Sequence, residues 1–245
     1  MSAVSPPSSR PDLGRSIRLF RLFLVEQSEP DRFYTALAED SVDQLRRYVP
    51  LASATLLDVG GGPGYFGRAF AAAGARYLGL EIDAPSDGPV EITSVRGSGE
   101  MIPLLSESVD IAYSSNVLEH VAHPWTMADE MVRVTRPGGV IYLSFTPWLS
   151  PWGGHETAPW HLLGGGAYAR RRYRRRTGHE PKNRYGETLF GYRVGELLAW
   201  ARSRDDVEIL QCFPRYHPRW AWWIVRVPGL RELAVWNIVM VLRRR

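Results

Sequence analysis

Apolar positions along this chain switch between two spacings. Residues 16–27 (SIRLFRLFLVEQ) and 31–49 place apolar side chains three and four apart, the spacing of a helix with one buried face. Asp31 stands where the second helix would take its N-cap. From Thr55 the pattern changes. Short apolar runs at 55–59, 75–81, 109–115 and 140–145, each bounded by turn residues, read as buried strands. Residues 90–96, 207–213 and 236–242 are further strand candidates, and 65–73, 124–134 and 194–202 read as helices between them. Strands alternating with helices predict an α/β fold built on a parallel, doubly wound sheet.

One long stretch breaks the rhythm. Residues 146–193 hold four prolines, three tryptophans and six arginines within Arg170–Arg176. A long excursion inside a compact domain is usually functional or disordered, and the aromatic residues argue for an ordered lid. The expected layout is a disordered tail at 1–15, rich in Ser and Pro, and then a single domain at 16–245. Within it, 16–50 would form a helical cap and 146–193 the lid.

Composition narrows the class. At 245 residues the chain is long enough for one large α/β core. A single cysteine, Cys212, makes no internal disulfide and no cysteine-based metal site, and it fits a reducing cytoplasm. No apolar run approaches the roughly 18–20 residues of a membrane span, and the N-terminus has no secretory apolar region. The net charge of +4 is a local matter: residues 151–193 carry nine Lys/Arg against three Asp/Glu. A cytoplasmic protein is expected, with an anionic membrane surface as a candidate peripheral contact.

The chemistry centres on Leu56–Arg68, LLDVGGGPGYFGR. An apolar strand stops at a glycine turn and a helix begins. Glycines let a ligand approach where a Cβ would block it, and a helix N-terminus offers free N–H groups. The turn satisfies two fingerprints at once. Gly62, Gly64 and Gly67 fit the dinucleotide pattern G-x-G-x-x-G, while Asp58, Gly60, Gly62 and Gly64 fit D-x-G-x-G-x-G. Glu81 follows Gly62 by 19 residues, the distance at which an acid ending the second strand can bind a ribose diol.

The order of motifs decides between them. LLDVGGGPGYF, LGLEID, GSGEMIPL, VDIAYSSNVLEHV and RVTRPGGVIYLS, over residues 55–145, together resemble the class I S-adenosylmethionine-dependent methyltransferases, in the small-molecule, type 11-like branch. FYTALAED, GGHE and FPRYHPRWAWW extend the resemblance to a group of actinobacterial methyltransferases. The resemblance implies a Rossmann-like sheet of seven strands, mostly parallel, with the last strand antiparallel. It implies S-adenosyl-L-methionine as cofactor. Gly60, Gly61, Gly62 and Gly64 would let the backbone pass its methionine part, and Asp58 would hold its ammonium group through water. Glu81 would bind the ribose hydroxyls, Ile82 would pack on the adenine, and Ser98 and Gly99 would meet the adenine edge. Asn116 would offer its carbonyl to the ammonium. The family usually has Asp where this chain has Ser98. Tyr34, in the second helix, is a further candidate for a cofactor contact.

The acceptor side is less legible. A hydroxyl acceptor benefits from a general base, most often histidine. His155, in Gly153-Gly154-His155-Glu156 after the fifth strand, is the leading candidate, with His161 behind it. Asn116-x-x-Glu119-His120 raises a metal question, since some ubiquinone-pathway O-methyltransferases have E-x-x-E-H there. With Asn at the first position one carboxylate is lost. No metal is expected, and Glu119 and His120 read as orienting the loop. The arginine run reads as a solvated helix face, or as a contact for a phosphate or an anionic lipid. SSNVLEH lacks the Asn/Asp-Pro-Pro-aromatic motif of amino-directed base methyltransferases, which argues against a nucleic-acid partner. Residues 220–235, rich in Trp, read first as core packing and second as a lipid contact. The expected activity is methyl transfer to a small-molecule or lipid-like hydroxyl. A nucleic-acid or protein methyltransferase, and a non-catalytic cofactor-binding protein, are the alternatives.

Overall fold

The computed structural model describes residues 12–26, 28–83 and 93–245. Most of the expected tail, the loop expected at 85–89 and the start of the third strand candidate lie outside the described residues. The last residues of the expected tail belong to the first helix. Asp12 caps α1 (Leu13–Leu24) by accepting from the Arg15 backbone N–H at 2.8 Å, and the Arg15 side chain is buried.

In α2 (Pro30–Leu45) the N-cap is Glu29 and not Asp31. Proline is pre-set for the first helical position, so the helix starts one residue before Asp31. Asp31 falls in the first turn, where a negative charge suits the helix dipole, and it accepts a hydrogen bond from the Tyr65 hydroxyl.

The sheet has seven strands in the order β3-β2-β1-β4-β5-β7-β6. They are β1 (Thr55–Val59), β2 (Arg76–Glu81), β3 (Ser94–Arg96), β4 (Val109–Ser115), β5 (Thr135–Phe145), β6 (Val207–Pro214) and β7 (Ile238–Arg244). β1 to β5 run parallel, and β7 enters antiparallel between β5 and β6. This is the α/β arrangement expected of the chain. β5 begins before the turn expected at 136–139. Thr135 pairs with Val109 and Val140 with Ile111, so the extra residues leave the ladder as a bulge and pairing resumes beyond it.

Consecutive strand residues point to opposite faces, which splits the core in two. Leu56, Ile111 and Val140 face α1, α2 and α3 (Tyr65–Ala72), packing with Leu19, Phe33, Leu37 and Phe70. Leu57, Ala112 and Ile141 face α4 (Pro124–Val134) and α6 (Val194–Arg202), packing with Met127, Met131 and Leu197. Each such fully buried side chain stabilises the fold by about 1.5–3 kcal/mol. The N-terminal helices are therefore chiefly a layer of the sandwich and less a cap over the strand ends. A buried ionic group ties them in. Arg15 holds Asp40 with two bonds of 2.6 Å, and Arg215, at 0% exposure, donates to the Ser115 hydroxyl at 2.9 Å and to Ser41.

Aromatic residues pack against one another within the excursion after β5. Trp148 packs against His161 and Tyr185 at ring distances of 5.0 and 4.7 Å. α5 (Trp160–Thr177) carries the arginine run and breaks at Gly165. Arg170 and Arg174 pair with Glu180, Arg172 lies over the Trp160 ring, and Arg171, Arg175 and Arg176 are exposed. Near the C-terminus, residues 219–226 pack on β6, and α7 (Leu230–Ala234) packs on that segment and on α6. Trp222 stacks on Phe213 at 4.4 Å, while Trp220 and Trp223 are 73% and 52% exposed. Core packing thus accounts for one side of this segment only. No helix of the described residues is long and apolar enough to cross a membrane.

Candidate functional site

The glycine turn follows β1 at the carboxyl edge of the sheet, the place where open α/β sheets bind ligands. Gly60 and Gly62 hold positive φ angles of 81° and 59°. A Cβ on Gly60 would stand 2.6 Å from Val117 Cγ2, so the turn lies directly against the loop that follows β4. A Cβ on Gly62 would meet nothing within 4 Å. Space opens above the turn at Gly62, and the chain closes against it at Gly60 and Gly61. Gly64 is the N-cap of α3.

Two acids flank the turn. Asp58 is buried at 1% exposure and accepts from the Tyr77 hydroxyl at 2.8 Å. Burial pushes its carboxyl up to about 7, against the help of that hydrogen bond. Glu81 ends β2 and accepts from the Gly62 N–H at 2.6 Å. Its pKa is also raised, first by burial and then, opposing it, lowered by the Gly62 N–H. The next residue, Ile82, exposes its apolar side chain at the same strand end.

The remaining expected cofactor residues close the other walls. Gly99 packs tightly: a Cβ there would stand 3.0 Å from Val59 and 3.1 Å from Met127. The Ser98 hydroxyl accepts from the Glu100 N–H at 3.1 Å, so it shapes its own turn. Asn116 takes a left-handed φ of 59°, and its side-chain oxygen accepts from Asn237 at 2.8 Å. That leaves the Asn116 carbonyl as its feature toward a ligand. Tyr34 stacks on Tyr65, the first residue of α3, at 5.6 Å and donates to Glu26 at 2.6 Å. It reaches the helix that follows the turn, through Tyr65.

Sequence reasoning missed Tyr77 and Asn237, which hold Asp58 and Asn116. Tyr77 could have been found two residues into β2, facing the acid of the neighbouring strand. Asn237 carries no local signal, because it is brought to Asn116 by the antiparallel entry of β7.

On the acceptor side the structure unites residues from two loops. Glu119, His120 and His155 offer ligand-type atoms that all lie within 4.8 Å of one another. Glu119 is buried at 1% exposure. One carboxylate oxygen accepts from the Thr146 N–H at 3.0 Å, and the other is buried with no partner. His120 donates from Nδ1 to the Thr188 carbonyl at 2.7 Å. His155 packs edge-on to His120 at 5.2 Å, and its Nε2 is buried without a partner. Burial, helped by the neighbouring His120, pushes His155 down to about 4, so its imidazole is neutral at neutral pH. His155 also holds a φ of 49°, a strained conformation for a residue with a Cβ. His161 is spent on structure, sitting 3.1 Å from the Ser150 carbonyl at 2% exposure.

The end of the excursion is fastened to the same loop. The Phe190 N–H donates to the Glu119 carbonyl at 2.8 Å, and the Tyr192 hydroxyl bonds the Val121 and Ala122 carbonyls at 3.0 and 2.8 Å.

Comparison with known proteins places this geometry. Residues 57–143 match the family model described as a methyltransferase domain. The chain is 50% identical over 256 residues to an uncharacterised methyltransferase of Mycolicibacterium vanbaalenii, covering 99% of each chain. It is 53% identical over 248 residues to an uncharacterised methyltransferase of Mycobacterium avium, covering 96% of each. The fold is similar to that of a geranyl diphosphate methyltransferase solved with S-adenosylmethionine, with a TM-score of 0.55, 17% identity, and coverage of 98% of this chain and 94% of that one.

The residues present fit that cofactor. The open space at Gly62 admits its amino-acid end. The buried Asp58 and the Asn116 carbonyl suit an ammonium, Glu81 suits a diol, and Ile82 gives an apolar face for an adenine. The chain belongs to the class I S-adenosylmethionine-dependent methyltransferases, in the mycobacterial group it matches from end to end.

Proposed function

We propose that the chain methylates a hydroxyl on a small-molecule or lipid-like acceptor. The observation that carries this reading is the buried, unpartnered Nε2 of His155. It stands beside Glu119 and His120 in the loop whose Val117 touches the glycine turn. When bound, S-adenosylmethionine supplies an electrophilic methyl group on a good leaving group. Asp58, Glu81 and Asn116 hold and orient that group. The Glu119–His120–His155 cluster takes the acceptor, and His155, whose Nε2 has no partner, is positioned to draw the hydroxyl hydrogen. The lid, pinned to the same loop through Phe190 and Tyr192, keeps water from the site.

A lipid-like acceptor is supported by the exposed surface. Trp220, Trp223 and Leu233 are exposed on the C-terminal segment alongside Arg219 and Arg226, and α5 exposes Leu163 with Arg171, Arg175 and Arg176. Aromatic and basic side chains together suit an anionic membrane interface. Salt-sensitive co-flotation with anionic liposomes, weakened by Trp220→Ala with Trp223→Ala, is the expected result. No flotation at low salt would remove the membrane contact.

The activity itself is tested with labelled S-adenosylmethionine and fractionated cell extract. Label should enter small molecules or lipids as an ether that survives mild alkali. Label in protein or nucleic acid, or label released by alkali as methanol, would overturn the hydroxyl reading.

A further inference from the structure

We infer that Glu119, His120 and His155 form a binding site for one divalent metal ion, with zinc as the best-fitting ion. Three observations meet at this point. The three donors come from two separate loops and converge within 4.8 Å. Donors that share a tetrahedral zinc ion at about 2.0–2.1 Å stand roughly 3.3 Å apart, so small side-chain rotations bring these three onto one ion. Two of the three are also left incomplete. Glu119 Oε2 and His155 Nε2 are buried with no hydrogen-bond partner, and buried polar atoms are nearly always satisfied. An ion between them completes both at once. Finally, His120 is already turned for the task. Its Nδ1 is committed to the Thr188 carbonyl at 2.7 Å, the outer contact that fixes the tautomer and orientation of a metal-ligating histidine.

Local structure is arranged around the same atoms. Thr146 and Phe190 fix Glu119 from either side, through its Oε1 at 3.0 Å and its backbone carbonyl at 2.8 Å. His155 accepts a left-handed backbone conformation, φ 49°, in the position that aims it at the pair. Two imidazoles and one carboxylate make a borderline donor set suited to zinc or another first-row transition ion, and poorly suited to magnesium, which prefers an all-oxygen shell. Three protein ligands leave a position open. That position would take the acceptor oxygen. The ion would lower the pKa of a bound hydroxyl; as its oxygen bonds the methyl carbon the methyl–sulfur bond breaks to leave the thioether S-adenosylhomocysteine, and the hydroxyl proton is released to solvent when the site opens. His155 then serves as a ligand, and the ion draws the hydrogen that the Proposed function assigns to this cluster. The role in catalysis rests on that reading, whereas the metal site stands on the donor geometry alone.

The full-length chain, stripped with a chelator and dialysed, is titrated with zinc and with magnesium. Cobalt(II) provides an optical probe of coordination. One equivalent of zinc should bind, at least a hundredfold more tightly than magnesium, and cobalt should give the visible bands of a four- or five-coordinate nitrogen–oxygen site. Glu119→Gln and His155→Ala should each weaken zinc binding by tenfold or more while S-adenosylmethionine binding stays within about twofold, which also shows that the variants are folded. His179→Ala, at an exposed lid histidine, should leave zinc binding unchanged. Absence of stoichiometric zinc and of cobalt bands in the wild-type chain would overturn the site, as would zinc binding that survives both substitutions. Methyl transfer to a hydroxyl at full rate by the metal-stripped chain would overturn the ion's catalytic role and leave the Proposed function intact. A confirmed zinc site with label entering protein or nucleic acid would do the reverse.

Discussion

The two ends of the cleft are built on different principles. On the cofactor side, each group sits on or beside a regular strand: Asp58 in β1, Glu81 ending β2, Asn116 just past β4. Their spacing follows from strand geometry, and their neighbours are short-range in the sheet. On the acceptor side, Glu119 and His120 lie in a single turn of 3₁₀-helix and His155 in another, 35 residues on, joined through an irregular excursion. Rigid strands recur with the same chemistry across a large family, while loops vary in what they recognise. On the function proposed above, the strand-borne groups would fix the type of reaction and the loop-borne cluster would set which molecule receives the methyl group.

Separating the two sides experimentally sharpens that contrast. The largest effect should come from the acceptor side. His155→Gln should lower turnover by about 10²-fold or more with little change in cofactor affinity by calorimetry. Equal losses in both would mean the two sides are one site. Next comes Glu81→Ala. Removing a carboxylate that would take two charge-assisted hydrogen bonds should weaken S-adenosylmethionine binding about a hundredfold, and an unchanged dissociation constant would misplace the ribose.

Asp58 supplies a pH signature. Burial raises its pKa to about 7, so the folded chain holds a proton there that the unfolded chain loses in the ordinary carboxylate range. Between that range and about pH 7 the folded state binds more protons, so this group's contribution to stability falls as pH rises through the window. Asp58→Asn should therefore raise the melting temperature of the cofactor-free chain at pH 8 and change it little at pH 4. A cationic ligand needs the ionised form. Cofactor affinity should drop as pH falls below about 7, by up to about tenfold per pH unit, and Asp58→Asn should flatten that profile. A pH-independent wild-type affinity would remove Asp58 from the ammonium contact. The smallest effect is expected from Ser98→Asp, which installs the family's usual residue. Because Ser98 is occupied by the Glu100 N–H, affinity should tighten by no more than about threefold to tenfold, one neutral hydrogen bond's worth.

The period of the apolar residues was enough to locate β1, β4, α4 and α6 with the bounds they have in the structure, because each is a complete buried element whose ends are marked by turn residues or caps. It misjudged the edges where a neighbour overrides local preference: Pro30 moved the start of α2 ahead of Asp31, and pairing with β4 carried β5 back through Thr135. The expected cofactor residues come together because a glycine turn and two strand ends place them at fixed chain distances. Tyr77 was hidden in a strand whose composition asks only for burial, and Asn237 in the bend just before β7.

Sequence by itself determined the sheet, the glycine turn and the cofactor class, since these depend on local spacing within strand–turn–helix units. Tertiary structure alone decided what His155 faces. An imidazole 36 residues from Glu119 carries no mark of its partner, and it meets Glu119 and His120 only because the strands end side by side and the excursion after β5 folds back on their loop. A residue read from the sequence as a lone base thus stands as the third member of a buried cluster, with two atoms still waiting for a partner.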